Sequence, residues 1–127
     1  MFGPASFGRR VPVVPSAGSF ASSQSLSVAS NSTLQVGGVD CWQSCWVKFN
    51  TTDAQRVLNK YDNTSNFEYS LVWSSSQLTI IVSSDGGVAS GLTGRTWTPT
   101  LWTGVWYHVF WYNNSSNNTL GISVNGG

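Results

Sequence analysis

Residues suited to acid–base chemistry are scarce, because the 127-residue chain holds five carboxylates and one histidine. Glycosidases need two carboxylates, about 5–5.5 Å apart in retaining enzymes and about 6.5–9.5 Å apart in inverting ones. Glu68 is the only glutamate, and no two carboxylates lie two or four residues apart, the spacing that places both on one strand face. The aspartates lie in or beside polar turns, where solvated carboxylates are usual; they are Asp40, Asp53, Asp62 and Asp85. We therefore expect no glycosidase activity.

The single histidine, His108, is the only residue that could serve a Ser-His-Asp triad. It lies in the segment WYHVFWY, where it alternates with Trp106, Phe110 and Tyr112. The chain has no Gly-x-Ser-x-Gly elbow and no glycine-rich phosphate loop. These features favour a structural histidine, and we predict that the protein is not an enzyme.

Both cysteines, Cys41 and Cys45, lie in the segment CWQSCWVK, which its Trp and Val residues predict to be a strand. Alternation then places Cys41, Gln43, Cys45 and Val47 on one face, and Trp42, Ser44, Trp46 and Lys48 on the other. Four residues at about 3.3 Å each separate the two cysteine Cα atoms by about 13 Å, whereas a disulfide requires about 7 Å or less. A zinc site fails likewise, since one histidine leaves it short of four ligands. We predict inward-facing core thiols, with an intermolecular disulfide as the alternative.

The composition and turn pattern predict an all-β domain. Only 9% of the residues are charged and 13% are aromatic, which suits strands and turns and does not suit a helical bundle. Eight short strands are predicted between polar turns, at residues 25–28, 41–49, 55–61, 67–74, 77–83, 95–98, 106–113 and 119–124. Strands at this spacing indicate a sandwich or a jelly roll.

Neither a nucleic-acid partner, a membrane span nor a signal peptide is predicted. The formal net charge is +1 and the six basic residues are scattered, so we expect no nucleic-acid partner. No apolar run is long enough to predict a membrane span. The segment after Arg9 and Arg10 is too short and too rich in proline to be a convincing signal peptide.

Residues 1–24 are predicted to form an extended arm ahead of a domain at residues 25–127. The arm holds three of the four prolines, a composition typical of extended segments. Phe2, Phe7 and Phe20 would give it apolar anchors for docking onto a neighbouring subunit. A linker without a partner is the alternative.

Three segments follow one another in an order that carries a family resemblance. They are SLSVASNSTLQVGGVDCWQSCWVKFN, RVLNKYDNTSNFEYSLVWSSSQLTIIVSSDGG and TGVWYHVFWYNNSSNNTLGISVNGG. Their order and spacing resemble the concanavalin A-like lectin/glucanase superfamily, in its laminin-G-like and pentraxin-like branch. The resemblance implies an antiparallel β-sandwich of the concanavalin A-like jelly-roll type.

The resemblance also implies strands beyond the last turn of this sequence. Relatives continue past the corresponding Val-Asn-Gly turn, whereas the sequence ends at Asn125-Gly-Gly127 on a hairpin signal. We expect either that further residues complete the domain or that a partner subunit covers the open C-terminal edge.

The aromatic loop LTGRTWTPTLWTGVW is the predicted ligand-binding site. Trp97 and Trp102 lie among Thr, Gly and Pro, where a core role is less obvious than for Trp106 and Trp111 of the predicted strand. Indole faces can stack on sugar rings, and the nearby Arg95 could fix a hydroxyl group. The alternative is that both loop indoles cap the sandwich or face a neighbouring subunit.

The sequence also contains residues that could bind Ca²⁺ or carry N-linked glycans. The resemblance implies that loop oxygens could hold Ca²⁺, and Asp85, Asp62 and Asn63 are the available turn residues; ordinary turns are the favoured interpretation, so no cofactor is predicted. Six Asn-x-Ser/Thr sequons, at Asn31, Asn50, Asn63, Asn113, Asn114 and Asn117, are interpreted as products of a polar surface.

Two functions remain open at the level of sequence. The first is a structural or decoration subunit of a surface assembly such as a viral particle or appendage, located on an extracellular surface or a virion. The second is a glycan-binding adhesion module that acts through its loop aromatics. The arm and the open edge favour the first, and the loop tryptophans favour the second.

Overall fold

Strands dominate the part of the chain that the computed structural model describes, which comprises residues 18–21, 24–27, 29, 38–61, 66–87 and 91–127. The strands are β1 (Cys41–Lys48), β2 (Gln55–Tyr61), β3 (Phe67–Ser74), β4 (Gln77–Ser83), β5 (Leu92–Trp97), β6 (Trp106–Asn114) and β7 (Thr119–Val124). A short 3-10 turn, Ser115–Asn117, joins β6 to β7. None of the described segments forms a helix that is long and apolar enough to cross a membrane.

Most of the predicted strands are confirmed. The bounds of β2, β3, β4 and β7 agree with the prediction, and those of β1 and β6 differ from it by one residue. Strand β5 begins at Leu92 instead of residue 95, because pairing with β4 carries the strand through Gly94. The strand predicted at residues 25–28 is wrong over residues 25–27, which are irregular and exposed, while Val28 lies outside the described residues.

The strands form two antiparallel sheets, ordered β1-β6-β7 and β2-β3-β4-β5. This confirms the all-β prediction, and the arrangement is consistent with a β-sandwich. The β3–β4 hairpin turns through Ser75 and Ser76, whose φ angles are 52° and 62°. Two consecutive residues with positive φ match the twist of the flanking strands, so this turn fixes the register between β3 and β4.

The core consists of large apolar side chains from both sheets. The buried cluster comprises Phe49, Tyr69, Leu71, Trp73, Leu78, Ile80, Val82, Leu101, Tyr107, Val109, Trp111, Leu120 and Val124. The rings of Phe49 and Trp73 stack with centroids 4.0 Å apart and planes at 5°. The ring of Tyr69 on β3 lies 5.7 Å from that of Trp111 on β6, so aromatic contacts link the two sheets.

The long connection between β5 and β6 is held to the body of the domain by backbone hydrogen bonds. The Leu101 N–H donates to the Ser76 carbonyl (3.0 Å), and the Gly104 N–H donates to the Phe49 carbonyl (2.7 Å). Leu101 is itself buried in the core. The segment that carries the predicted binding loop is therefore fixed at two points.

The predicted arm at residues 1–24 lies mostly outside the described residues, as do Phe2 and Phe7. Phe20 is described, and its side chain is exposed. The docking role of the arm stays a prediction.

Candidate functional site: an aromatic sheet face

Strand β1 separates its side chains cleanly between the two faces of the three-stranded sheet. Exposure alternates along all eight residues. Trp42 and Trp46 point outward and are 68% and 66% exposed. Cys41, Cys45 and Val47 pack against the core, which confirms the predicted inward orientation of both cysteines.

Strand β6 divides its aromatic residues between both faces. Tyr107, Val109 and Trp111 are buried in the core. Trp106 and Tyr112 are 45% and 39% exposed on the opposite face. The core prediction is therefore confirmed for Trp111 and wrong for Trp106, because aromatic residues occupy both sides of this strand and only one side faces the second sheet.

The outward residues of β1 and β6 form four cross-strand pairs, which we call the aromatic face. The pairs are Trp42 with Tyr112, Ser44 with Phe110, Trp46 with His108, and Lys48 with Trp106. Ring centroids lie 6.1 Å apart for Trp42 and Phe110 and 5.2 Å apart for Trp46 and His108. Opposed and diagonal side chains on one sheet face come within contact distance of each other, so these rings line one side of the sheet.

The aromatic face carries little charge. Lys48 is its one formally charged residue, and the Lys48 ammonium lies 5.5 Å from the centre of the Trp106 ring, within cation–π range. None of the eight residues of the face is a carboxylate. The face therefore offers no carboxylate pair for hydrolysis.

Tyr112 extends the aromatic face toward β7. Its cross-strand neighbour on β7 is Gly121, and a Cβ atom at residue 121 would lie 2.5 Å from Tyr112 Cζ and 2.8 Å from its hydroxyl oxygen. Carbon atoms in contact are normally about 3.5–4.0 Å apart. The absence of a side chain at Gly121 therefore lets the tyrosine ring lie against the sheet.

The inner side of β1 is built for packing. Burial raises the pKa of the Cys41 and Cys45 thiols, which keeps them protonated and weakly nucleophilic at neutral pH. Both cysteines are free. Gln43 lies between the two cysteines on β1 and is the cross-strand neighbour of Trp111 on β6. The Gln43 Oε1 and Trp111 Nε1 atoms are buried and make no hydrogen bond.

The structure separates the three residues of the predicted loop site by environment. Trp97 ends β5 and packs against the core. Arg95 Nε donates to the Leu120 carbonyl (3.2 Å), which joins the four-stranded sheet to β7. Trp102 is 70% exposed on its loop. Its backbone N–H donates to the Tyr107 hydroxyl (2.7 Å). Of the three, Trp97 is half-buried, whereas Arg95 and Trp102 are exposed. Ligand binding by this set stays a prediction.

Two of the described carboxylates, those of Asp85 and Asp40, accept hydrogen bonds that hold loops of the domain. Asp85 Oδ1 accepts hydrogen bonds from the Ser83 hydroxyl (2.9 Å) and the Gly87 N–H (2.8 Å). Asp40 Oδ1 accepts from the hydroxyl and the N–H of Ser115, and these bonds lower the Asp40 pKa. Asp62 and Asn63 lie outside the described residues. Among the described residues, no three His, Cys, Asp or Glu side chains are grouped so that they could hold a metal ion.

Two of the predicted sequon asparagines make structural hydrogen bonds at the end of β6. Asn113 Nδ2 donates to the Val39 carbonyl (3.2 Å). Asn114 Oδ1 accepts from the Asn117 N–H (3.0 Å) and caps the 3-10 turn. Asn31 and Asn63 lie outside the described residues.

The aromatic face was not predicted as a site, although the sequence contained a signal for it. Inward-facing Cys41 and Cys45 require that Trp42 and Trp46 face outward from the same strand. Two exposed indoles on one strand are unusual for a surface that has no partner.

No family model, curated protein or solved structure matches the chain. The resemblance to the concanavalin A-like superfamily stays a prediction.

Proposed function

We propose that this chain is a non-catalytic carbohydrate-binding module, built on a concanavalin A-like jelly roll, which binds its ligand on the aromatic face. The observation that carries the proposal is the exposure of Trp42 and Trp46 on a sheet face shared with Trp106, Phe110 and Tyr112. Large exposed apolar patches on a soluble domain mark interaction sites. This proposal places the ligand on the sheet, whereas the sequence-based prediction places it at Arg95, Trp97 and Trp102.

The chemistry of the face favours a sugar. Aromatic rings carry negative charge on their faces, so they attract the weakly positive C–H groups that line one side of many sugar rings. The exposed large apolar residues of the face are all aromatic: Trp42, Trp46, Trp106 and Tyr112. Ser44, His108 and the Tyr112 hydroxyl provide hydrogen-bonding groups beside the rings.

A pair of matched variants tests the proposal. The Trp42→Ala/Trp46→Ala double variant removes two exposed indoles from the face, and Trp102→Ala removes one of similar exposure from a loop. We expect the double variant to lose binding to insoluble polysaccharides and to a glycan array, while Trp102→Ala keeps it. Loss of binding in Trp102→Ala alone would return the site to the loop. An unaltered chain that binds no carbohydrate would refute the function.

A structural subunit of a surface assembly, on an extracellular surface or a virion, is the second candidate. It is supported by the sheet edges, since β1 and β7 border one sheet and β2 and β5 border the other within the described residues. Unpaired edges can accept strands from other subunits. The native mass of the purified protein tests this, because a large defined assembly supports the subunit and a monomer at all concentrations opposes it.

A further inference from the structure

The aromatic face is long in the strand direction and narrow across it. Residues advance by about 3.3 Å each along a strand, so the Trp42 and Trp46 Cα atoms are separated by about 13 Å and the Trp42 and Lys48 rows by about 20 Å. The two strands that carry the rings lie only about 4.8 Å apart. A single sugar ring can therefore cover one row, whereas the whole face accepts several rings in line.

The face lacks the features that select one terminal sugar. Such recognition uses a concave site in which several polar groups converge on the ligand. Two recesses of the described structure are lined by residues outside the face, one around Ser83 and Ser115 and the other around Arg56 and Val72. Affinity on an open aromatic surface must come from repeated stacking contacts.

The charge of the face fits an uncharged ligand. Its single formal charge, on Lys48, already lies against the Trp106 ring. A polyanionic ligand would meet one cation along about 20 Å of surface, which is too little to compensate a charge on every sugar unit.

Gly121 leaves room for the Tyr112 ring at one end of the aromatic face. With no Cβ beneath it, the Tyr112 ring lies against β7 and continues the row that begins at Trp42. An alanine at this position displaces the ring while keeping every aromatic residue.

We infer that the ligand is a neutral, extended polysaccharide that lies along β1 and β6 and contacts several sugar rings at once. This inference rests on the proposed carbohydrate-binding function. It predicts that affinity depends on chain length, that it is insensitive to salt, and that it needs indoles at both ends of the Trp42–Trp46 span.

Calorimetry on the unaltered full chain is the first test. The probes are gluco-, xylo- and chito-oligosaccharides, from single sugars to hexasaccharides, and the matching insoluble polymers, at low and high salt. We expect at least one series in which the hexasaccharide binds at least about tenfold more tightly than the single sugar. We expect its affinity to be unchanged at high salt, since no ionic contact is screened.

Single substitutions then locate the ligand. Trp42→Ala and Trp46→Ala should each lower hexasaccharide affinity by about tenfold, Gly121→Ala should lower it less, and Trp102→Ala should leave it unchanged. Circular dichroism verifies the fold of each variant, and the length series on the unaltered chain needs no variant.

The possible failures are distinguishable. Equal affinity for a single sugar and a hexasaccharide, or a steep fall in affinity with salt, overturns the extended neutral ligand and leaves carbohydrate binding standing. Failure of every saccharide and every polymer to bind overturns both proposals.

Discussion

Replacing Trp46 by alanine measures whether the aromatic face is open in solution. Trp46 is 66% exposed, so about a third of its side chain is covered by neighbours such as His108. A fully buried tryptophan covers at most about 250 Å², which gives about 85 Å² for the covered part. At about 25 cal/mol per Å², the contacts of Trp46 contribute at most about 2 kcal/mol to the free energy of unfolding.

Trp111 provides the matched comparison from the same sheet. It is 1% exposed on the inner side of β6, and replacing such a residue by alanine costs about 3–5 kcal/mol. We therefore expect Trp111→Ala to destabilise the domain at least about 1.5 times as much as Trp46→Ala.

Urea unfolding measures the free energy of unfolding of both variants. It is followed by far-ultraviolet circular dichroism and not by fluorescence, because each substitution removes a tryptophan and so changes the fluorescence signal itself. The measurement is repeated over a range of protein concentrations. A Trp46→Ala cost equal to that of Trp111→Ala would show that the outer indole is covered in the folded state. If that cost grows with protein concentration, a second copy covers the face, and its role as an open binding surface is refuted.

Three further predictions concern the hydrogen bonds of the domain. Gln43→Leu should raise the free energy of unfolding by about 1 kcal/mol, measured by urea titration. The substitution removes a buried acceptor that has no hydrogen-bond partner. A loss of stability would instead show that Gln43 bonds to Trp111 in solution. Asp40→Asn should flatten the acid limb of the stability profile, since hydrogen bonds from Ser115 lower the pKa of the folded carboxyl below its ordinary value. A lowered pKa adds stability above the unfolded-state pKa, and this stability is lost as pH falls through the folded-state pKa. An unchanged profile in pH-dependent urea unfolding would count against the hydrogen bonds to Asp40. Arg95→Met should lower the free energy of unfolding by about 1 kcal/mol, because it removes the hydrogen bond from Arg95 to the Leu120 carbonyl between the sheets. The substitution should leave carbohydrate binding unchanged. Loss of carbohydrate binding would support the loop site.

Local patterns were sufficient to predict most of the secondary structure. Alternation along β1 gave the inward orientation of Cys41 and Cys45, because strand geometry has a fixed period of two. Strand β5 was placed too late, since Gly94 is a poor strand residue by propensity and only its pairing with Ile81 carries the strand through it.

The position of the aromatic face depends on contacts that no local sequence pattern contains. Strand β6 has aromatic residues on both sides, so its sequence does not distinguish the buried Trp111 from the exposed Trp106. Their difference is set by the side to which the four-stranded sheet packs. Similarly, Trp97 belongs both to the strand predicted at residues 95–98 and to the predicted loop site, and only the packing of β5 shows that it lies against the core.

The pairing of β1 with β6 determines when the aromatic face forms during folding. Strands β2 to β5 pair only with their neighbours in the chain, whereas β1 must wait for β6, with all four of those strands in between. Closing a long loop is entropically costly, and contacts between distant segments slow folding. We expect the four-stranded sheet to form first and the rows that join Trp42 and Trp46 to β6 to form last. A ligand that needs both strands would then bind only chains that have completed folding, and its binding rate after dilution from urea would report the slowest folding step.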